Sequence, residues 1–241
     1  VTLRAQKGSV TIGRGGARGG DAIVLQGRHV VVDGAVTAND LVEAIGGGST
    51  YDAKTGQSAA LATGERRVTN YGVDATKFGA MTAGTIRVQT HEPNMDNRLK
   101  GHLKSSAADV ILKNGGGSTE VNKITSARDV KISSAKDVLH YSGQISAQRD
   151  IIIDNTAGVM TRDVSSMASG RNLLIGAGDY VVTSGELTAV GNLTLRATNK
   201  ALNLGLIVSG AALTVVAGEV SNIRPDIERD TTFMANPALA A

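Results

Sequence analysis

Four histidines, His29, His91, His102 and His140, are the first residues able to hold a metal ion or move a proton. Imidazole and carboxylate suit zinc and related cations, so His91, Glu92 and His102 form one set to weigh. No His-x-x-x-His pair accompanies them, and without metal-type spacing they read as polar residues of a surface loop. The chain contains no cysteine, which removes thiolate catalysis, cysteine-based metal sites and disulfides. The run GRGGARGGDAIVLQG, Gly13 to Gly27, invites a phosphate cradle or a calcium loop. A cradle needs glycines that open a helix after a strand, and here a strand follows. A calcium-binding nonapeptide needs G-G-x-G-x-D in tandem, whereas Asp21 directly follows Gly19-Gly20 and nothing repeats. Arg18-Gly19-Gly20-Asp21 is also one residue too long for an Arg-Gly-Asp ligand, so the segment reads as a turn.

Asp129 and Asp150 are the remaining pair. Glycoside hydrolysis requires two carboxylates facing one cleft, and lyase chemistry requires a base beside a bound cation. Both aspartates recur at one place in a repeat whose next members are Asn172 and Asn192. An amide cannot serve as acid or base, but an Asx oxygen can satisfy turn backbone groups rung after rung. The column therefore reads as structural, with Lys131, Arg149 and Arg171 solubilising the outer surface. No catalytic, cofactor-binding or metal-ligating residue is expected, and the chain is not expected to be an enzyme.

The elements that position these residues come from the repeat itself. Units begin at Ile124 (ITSARDVKI), Ile145 (ISAQRDIII), Met167 (MASGRNLLI), Leu187 (LTAVGNLTL) and Ile207 (IVSGAALTV), with a weaker, slipped copy at Leu103. In each unit the third position is small and the seventh and ninth are aliphatic. Period-two pairs such as Val130/Ile132, Ile151/Ile153 and Leu193/Leu195 mark short strands with one face inward. A unit of about 20 residues cannot cover its apolar side alone, so successive units must stack. The expected fold is all-β: a right-handed parallel β-helix, or solenoid, with excursions outside the stack.

Residues 1–102 read as a less regular β-helix with an excursion at about 39–70 and a shorter one at 91–101, residues 103–220 as regular repeats, and 221–241 as a tail or cap. Composition narrows the function classes. Aromatic residues make up 2% of the 241, so the rings that usually build ligand pockets and base-stacking surfaces are scarce. Net charge is +3, with 25 basic residues scattered among 22 acidic ones, so no continuous basic stripe is expected and nucleic acid is not an expected partner. No stretch approaches the ~20 apolar residues of a membrane span, and the start, VTLRAQKGSV, lacks a signal-peptide layout; the chain reads as an interior piece of a longer protein.

The stretch YGVDATKFGAMTAGTIRVQTHE, Tyr71 to Glu92, resembles filamentous-haemagglutinin-like exoproteins of the two-partner secretion family. Val73, Asp74, Ala75, Gly79, Met81, Ala83, Ile86 and Glu92 fall where that family's pattern wants them. IVLQGRHVVVDGAVTAND upstream and ALNLGLIVSGAALTVVAGEVSN downstream are similar to the same family. The resemblance implies the end of a transport domain joined to the first shaft repeats of a large secreted bacterial surface protein. It further implies export through an outer-membrane pore partner, a non-enzymatic rod for adhesion or for display of a distal binding or toxin module, and contact with a receptor or glycan on a host or neighbouring cell. The segment is expected to be monomeric, with a carbohydrate-active β-helix as the alternative function.

Overall fold

The computed structural model describes residues 1–52, 55, 57–60, 69–161 and 165–222. All regular structure in them is β, and nearly all of it is parallel, wound into a solenoid of about ten turns. Each complete turn, or rung, contributes strands to three faces. Rung 7, for example, uses Ile151–Asn155, Val159–Thr161 and Ser165–Ser169, and rung 8 uses Leu173–Ala177, Tyr180–Thr183 and Glu186–Ala189. Every strand pairs with its equivalent one rung away, so the side chains that alternate inward form continuous columns along the axis.

One column runs through the first face from Ile23 to Val42, Ile86, Val110, Val130, Ile151, Leu173, Leu193 and Leu213. All but Leu213, on the last rung, are fully buried. This is the fixed-step translation that the repeat spacing predicts. β-branched side chains suit it because they pack rung on rung from a pleated surface. The small third position is a second column, Ser105, Ser126, Ala147, Ser169, Ala189 and Ser209, at the corner between the third and first faces. There the chain turns within three residues. Ser105 donates to the Ala108 carbonyl at 2.7 Å, Ser126 to that of Asp129 at 2.9 Å, and Ser209 to that of Ala212 at 2.9 Å, which closes the turn. The slip at Leu103 is one extra residue in this turn, since Leu103 still pairs with Ile124 and Val110 with Val130.

Two boundaries differ from expectation. Leu41–Gly46, which reads as the start of the excursion, is a first-face strand paired on both sides, with Ala22–Gln26 and with Thr85–Thr90. The chain leaves the stack only after Gly46, where three consecutive glycines blur the period. There it forms an antiparallel hairpin, Ser49–Asp52 against Gln57–Ala60. The expected second excursion at 91–101 is a tight turn followed by the strand Asp96–Ser105, which serves two faces of rung 4. Proline and asparagine in HEPNMDN suggest a longer loop than the solenoid needs; Asn94 absorbs the turn with a positive φ of 57°. Glu219–Asn222 continues the rhythm against Lys200–Asn203, and the tail expected beyond it lies outside the described residues.

Candidate functional site

The part of the molecule that departs most from plain stacking is where the hairpin leaves and covers the first face. On rungs 2 and 3 the outward side chains Val24, Gln26, Glu43 and Ile45 are buried, although outward positions on a solenoid normally meet water. The hairpin lies against this face. Gln26 Nε2 donates to the Ser49 carbonyl at 2.7 Å, and Ser58 Oγ lies 2.7 Å from His91 Nε2 and 3.2 Å from Gln89 Oε1. Gln89 in turn donates from Nε2 to Glu43 Oε1 at 2.9 Å.

Beneath the hairpin sits a buried ion pair. Arg28 donates from Nε to Glu92 Oε2 at 3.0 Å and from Nη2 to Oε1 at 2.9 Å, and the two side chains are 4% and 6% exposed. A bidentate fork of this kind is the geometry in which guanidinium and carboxylate offset most of each other's desolvation. Gly47 holds a φ of 74°, and a Cβ there would fall 2.6 Å from the Glu92 backbone nitrogen. The glycine therefore lets the chain enter the hairpin in close contact with the Glu92 backbone. Glu92 closes the Tyr71–Glu92 pattern, but no spacing ties it to its partner Arg28, which lies in the upstream stretch IVLQGRHVVVDGAVTAND. The available signal was a lone arginine inside the apolar run IVLQGRHVVV, where an unpaired charge would be unaffordable.

Beyond the hairpin, none of the described residues covers the same face. On rungs 4 to 7 it carries an open groove of about 440 Å³ floored by Gln89, Lys113, Ser133 and Asp154, with His91 at the end nearest the hairpin. Burial holds His91 below the ordinary imidazole range, so it is neutral against Ser58 at neutral pH. Among the described residues one carboxylate, Asp154, lines this groove, whereas glycoside hydrolysis needs two.

The other sequence candidates are dispersed. His102 lies at the corner between the second and third faces with Nε2 3.0 Å from Thr125 Oγ1, so His91 and His102 are not brought together. Among the described residues no three His, Asp or Glu side chains are grouped to hold a metal. His29 contacts the Tyr71 carbonyl through Nδ1 at 3.0 Å. His140 is fully buried, with Nε2 3.0 Å from the Asn122 carbonyl, and burial pushes its pKa down to about 4.

Asp129 and Asp150 are members of a ladder. Asp109 Oδ1 accepts from the Asp129 amide at 3.2 Å, Asp129 Oδ1 from the Asp150 amide at 3.3 Å, and Asp150 Oδ1 from the Asn172 amide at 3.0 Å. Asn172 and Asn192 continue it to the amides of Asn192 and Ala212 at 3.0 and 3.2 Å. Lys131 and Arg171, expected to be solubilising, are tied into it. Lys131 Nζ is 2.8 Å from Asp109 and 3.3 Å from Asp129, and Arg171 forms a two-point contact with Asp150. The Arg171 hydrogen bond, together with the Asn172 amide, holds Asp150 below the usual carboxylate range. Burial pushes Asp109 upward, but the bonds from Lys131 and the Asp129 amide outweigh it and the net shift is downward.

By architecture, then, this is a three-faced parallel β-solenoid stapled at one face by a hairpin. Its sequence is similar to that of named toxins. The chain is 28% identical over 238 residues to tRNA nuclease CdiA of Escherichia coli O6:K15:H31 (strain 536 / UPEC), a match covering 91% of this chain and 7% of that protein. Toxin CdiA of Escherichia coli matches at 28% over 238 residues, with 91% and 8% covered. The 16S rRNA endonuclease CdiA of Enterobacter cloacae subsp. cloacae matches at 28% over 244 residues, with 91% and 7% covered. The chain thus spans less than a tenth of the length of these relatives. Neither a family model nor a solved structure matches it.

Proposed function

We propose that this chain is a non-enzymatic segment of a large secreted bacterial surface exoprotein of the CdiA kind, forming part of a rigid shaft that holds a distal toxin or binding module. The observation that carries this reading is the uninterrupted column from Ile23 to Leu213, which makes the segment a stiff rod about 40 Å long at the inter-strand spacing. The match to CdiA proteins over 91% of the chain supports the same reading. Export through an outer-membrane pore partner, surface display and contact with a neighbouring cell belong to this proposal. Nuclease names attach to the whole relatives, and no catalytic role is assigned to this segment.

The test is excision of whole rungs. Removing residues 151–192 from the parent protein joins rung 6 to rung 9 in register, and the shortened protein should still fold, be exported and display its distal module. Removing residues 151–171 together with 173–180 breaks the register and should abolish surface display. Equal outcomes for the two deletions would refute the shaft reading. A carbohydrate-active solenoid is supported less well, because Asp129 and Asp150 are engaged in the ladder and Asp154 is the only carboxylate lining the groove among the described residues.

A further inference from the structure

Basic residues that are scattered in sequence are collected by the stacking. The corner between the second and third faces passes Gly13–Gly16, Asp33–Ala35, Thr76–Ala80, Lys100–Gly101 and Asn122–Lys123 on rungs 1 to 5. Arg14, Lys77, Lys100 and Lys123 lie at this corner on rungs 1, 3, 4 and 5 and are exposed, and Lys104 stands beside them on the third face. At one rung per strand spacing the line is about 20 Å long. The row is interrupted at rung 2, where the corner carries Asp33, so it is a local cluster and not the continuous stripe that a phosphate backbone would need.

Neutralisation along the line is partial. Arg14 is 3.2 Å from Asp33 and Lys100 is 3.6 Å from Glu120. Among the described residues no carboxylate lies within ion-pair distance of Lys77, Lys104 or Lys123. The field is felt locally: burial first, then Lys123 and Lys104, hold His102 below the ordinary imidazole range. Phe78 crowns the same corner at 47% exposed, with the Arg14 guanidinium 4.2 Å and the Lys77 ammonium 5.0 Å from its ring centroid. In a chain with two phenylalanines, leaving one in solvent between two cations is a marked departure from burial.

Shape selects among anionic partners. A linear polyanion is held best by a groove that surrounds its charges, as nucleic-acid channels do. The corner of a three-sided prism is convex, so the exposed cations along it can face a flat surface. We propose that this ridge docks the solenoid on an anionic lipid surface, with Lys77, Lys104 and Lys123 against headgroup phosphates and Phe78 at the acyl boundary. The solenoid axis then lies along the membrane plane at this end of the segment. Nothing in this inference depends on what the rest of the parent protein carries.

The test uses the full 241-residue chain and vesicles of equal parts phosphatidylglycerol and phosphatidylcholine, against phosphatidylcholine alone, with co-sedimentation as the readout. Binding should require the anionic lipid and fall at high salt. Lys77→Ala, Lys104→Ala and Lys123→Ala together should weaken it about 100-fold, and Phe78→Ser should weaken it further at unchanged salt dependence. A charge-matched control on the far side, Arg87→Ala with Arg128→Ala and Arg196→Ala, should bind like the parent chain, with circular dichroism confirming that every variant keeps its β signal. Absence of binding to the anionic vesicles, equal binding to phosphatidylcholine alone, or an equal loss in the control would each overturn the proposal. Capture by polyphosphate or single-stranded RNA without capture by vesicles would overturn it in favour of a polyanion partner.

Discussion

Rungs 2 to 4 and rungs 5 to 9 are built on one repeat but stabilised differently. In the first region the strand Ala22–Val32 serves two faces without a break, outward side chains on rungs 2 and 3 are buried where the hairpin lies against the stack, and a buried charge pair sits beside the hairpin's entry. In the second, strands are three to eight residues long, outward side chains meet water, and the corners are held by serine and Asx side chains. The contrast shows that translational stacking supplies the shaft, while departures from it need specific partners. Where the chain merely repeats, a small residue or an Asx at the corner is enough. Where the hairpin lies on the stack, particular side chains join the two, Gln26 to Ser49 and Ser58 to His91 and Gln89.

The largest expected effect tests that contrast at its most specific point. Arg28→Ala leaves Glu92 buried without its fork and should lower stability by about 3–5 kcal/mol, read by urea unfolding. Arg28→Met with Glu92→Leu should recover most of that loss, because the pair's own desolvation then disappears. If the single variant is as stable as the parent chain, the pair does not hold the hairpin. Next, Ile151→Ala removes a column member and should cost about 2–5 kcal/mol. Since each rung touches only its neighbours, hydrogen exchange should accelerate on rungs 6 to 8 and leave rungs 2 to 4 unchanged. Spreading of the effect to the hairpin would mean that the two regions unfold as one unit.

Acid should sort the two regions more gently. Folded Asp150 and Asp109 have lowered pKa values, so their contribution is present above the ordinary carboxylate pKa and disappears as pH falls through their folded values. His140 adds a separate slope. Its folded pKa of about 4 lies below the unfolded value, so between about pH 6.5 and 4 the unfolded chain binds a proton that the folded chain refuses. Stability therefore rises with pH across that window, and His140→Asn should flatten it in pH-dependent thermal melts. A slope unchanged by the substitution would assign it to another group. Ser209→Ala, which removes one corner hydrogen bond on a partly exposed rung, should cost only about 0.5–1.5 kcal/mol.

Much of the shaft was legible beforehand, because period two within a strand and a step of about twenty between units are both local signals. Val130, Ile151, Leu173, Leu193 and Leu213 pile in one line as that step requires. The Asx ladder was legible for the same reason, down to its switch from Asp150 to Asn172. Leu41–Gly46 was hidden because a strand buried on both faces loses its alternation, and Glu43 and Gly46-Gly47-Gly48 look like loop residues. Arg28 and Glu92 are separated by a hairpin and a full rung, so nothing in their spacing announces the pair.

What the amino-acid order settled unaided is the translation: which residues face inward, and that equivalent ones lie on successive turns. Tertiary structure alone decided which outward residues share a corner or a cover. Inward positions are constrained by burial and so carry a periodic mark, whereas Lys77, Lys100 and Lys123 share a corner, and Gln26 touches Ser49, only because turns and a hairpin of unequal length carry them there.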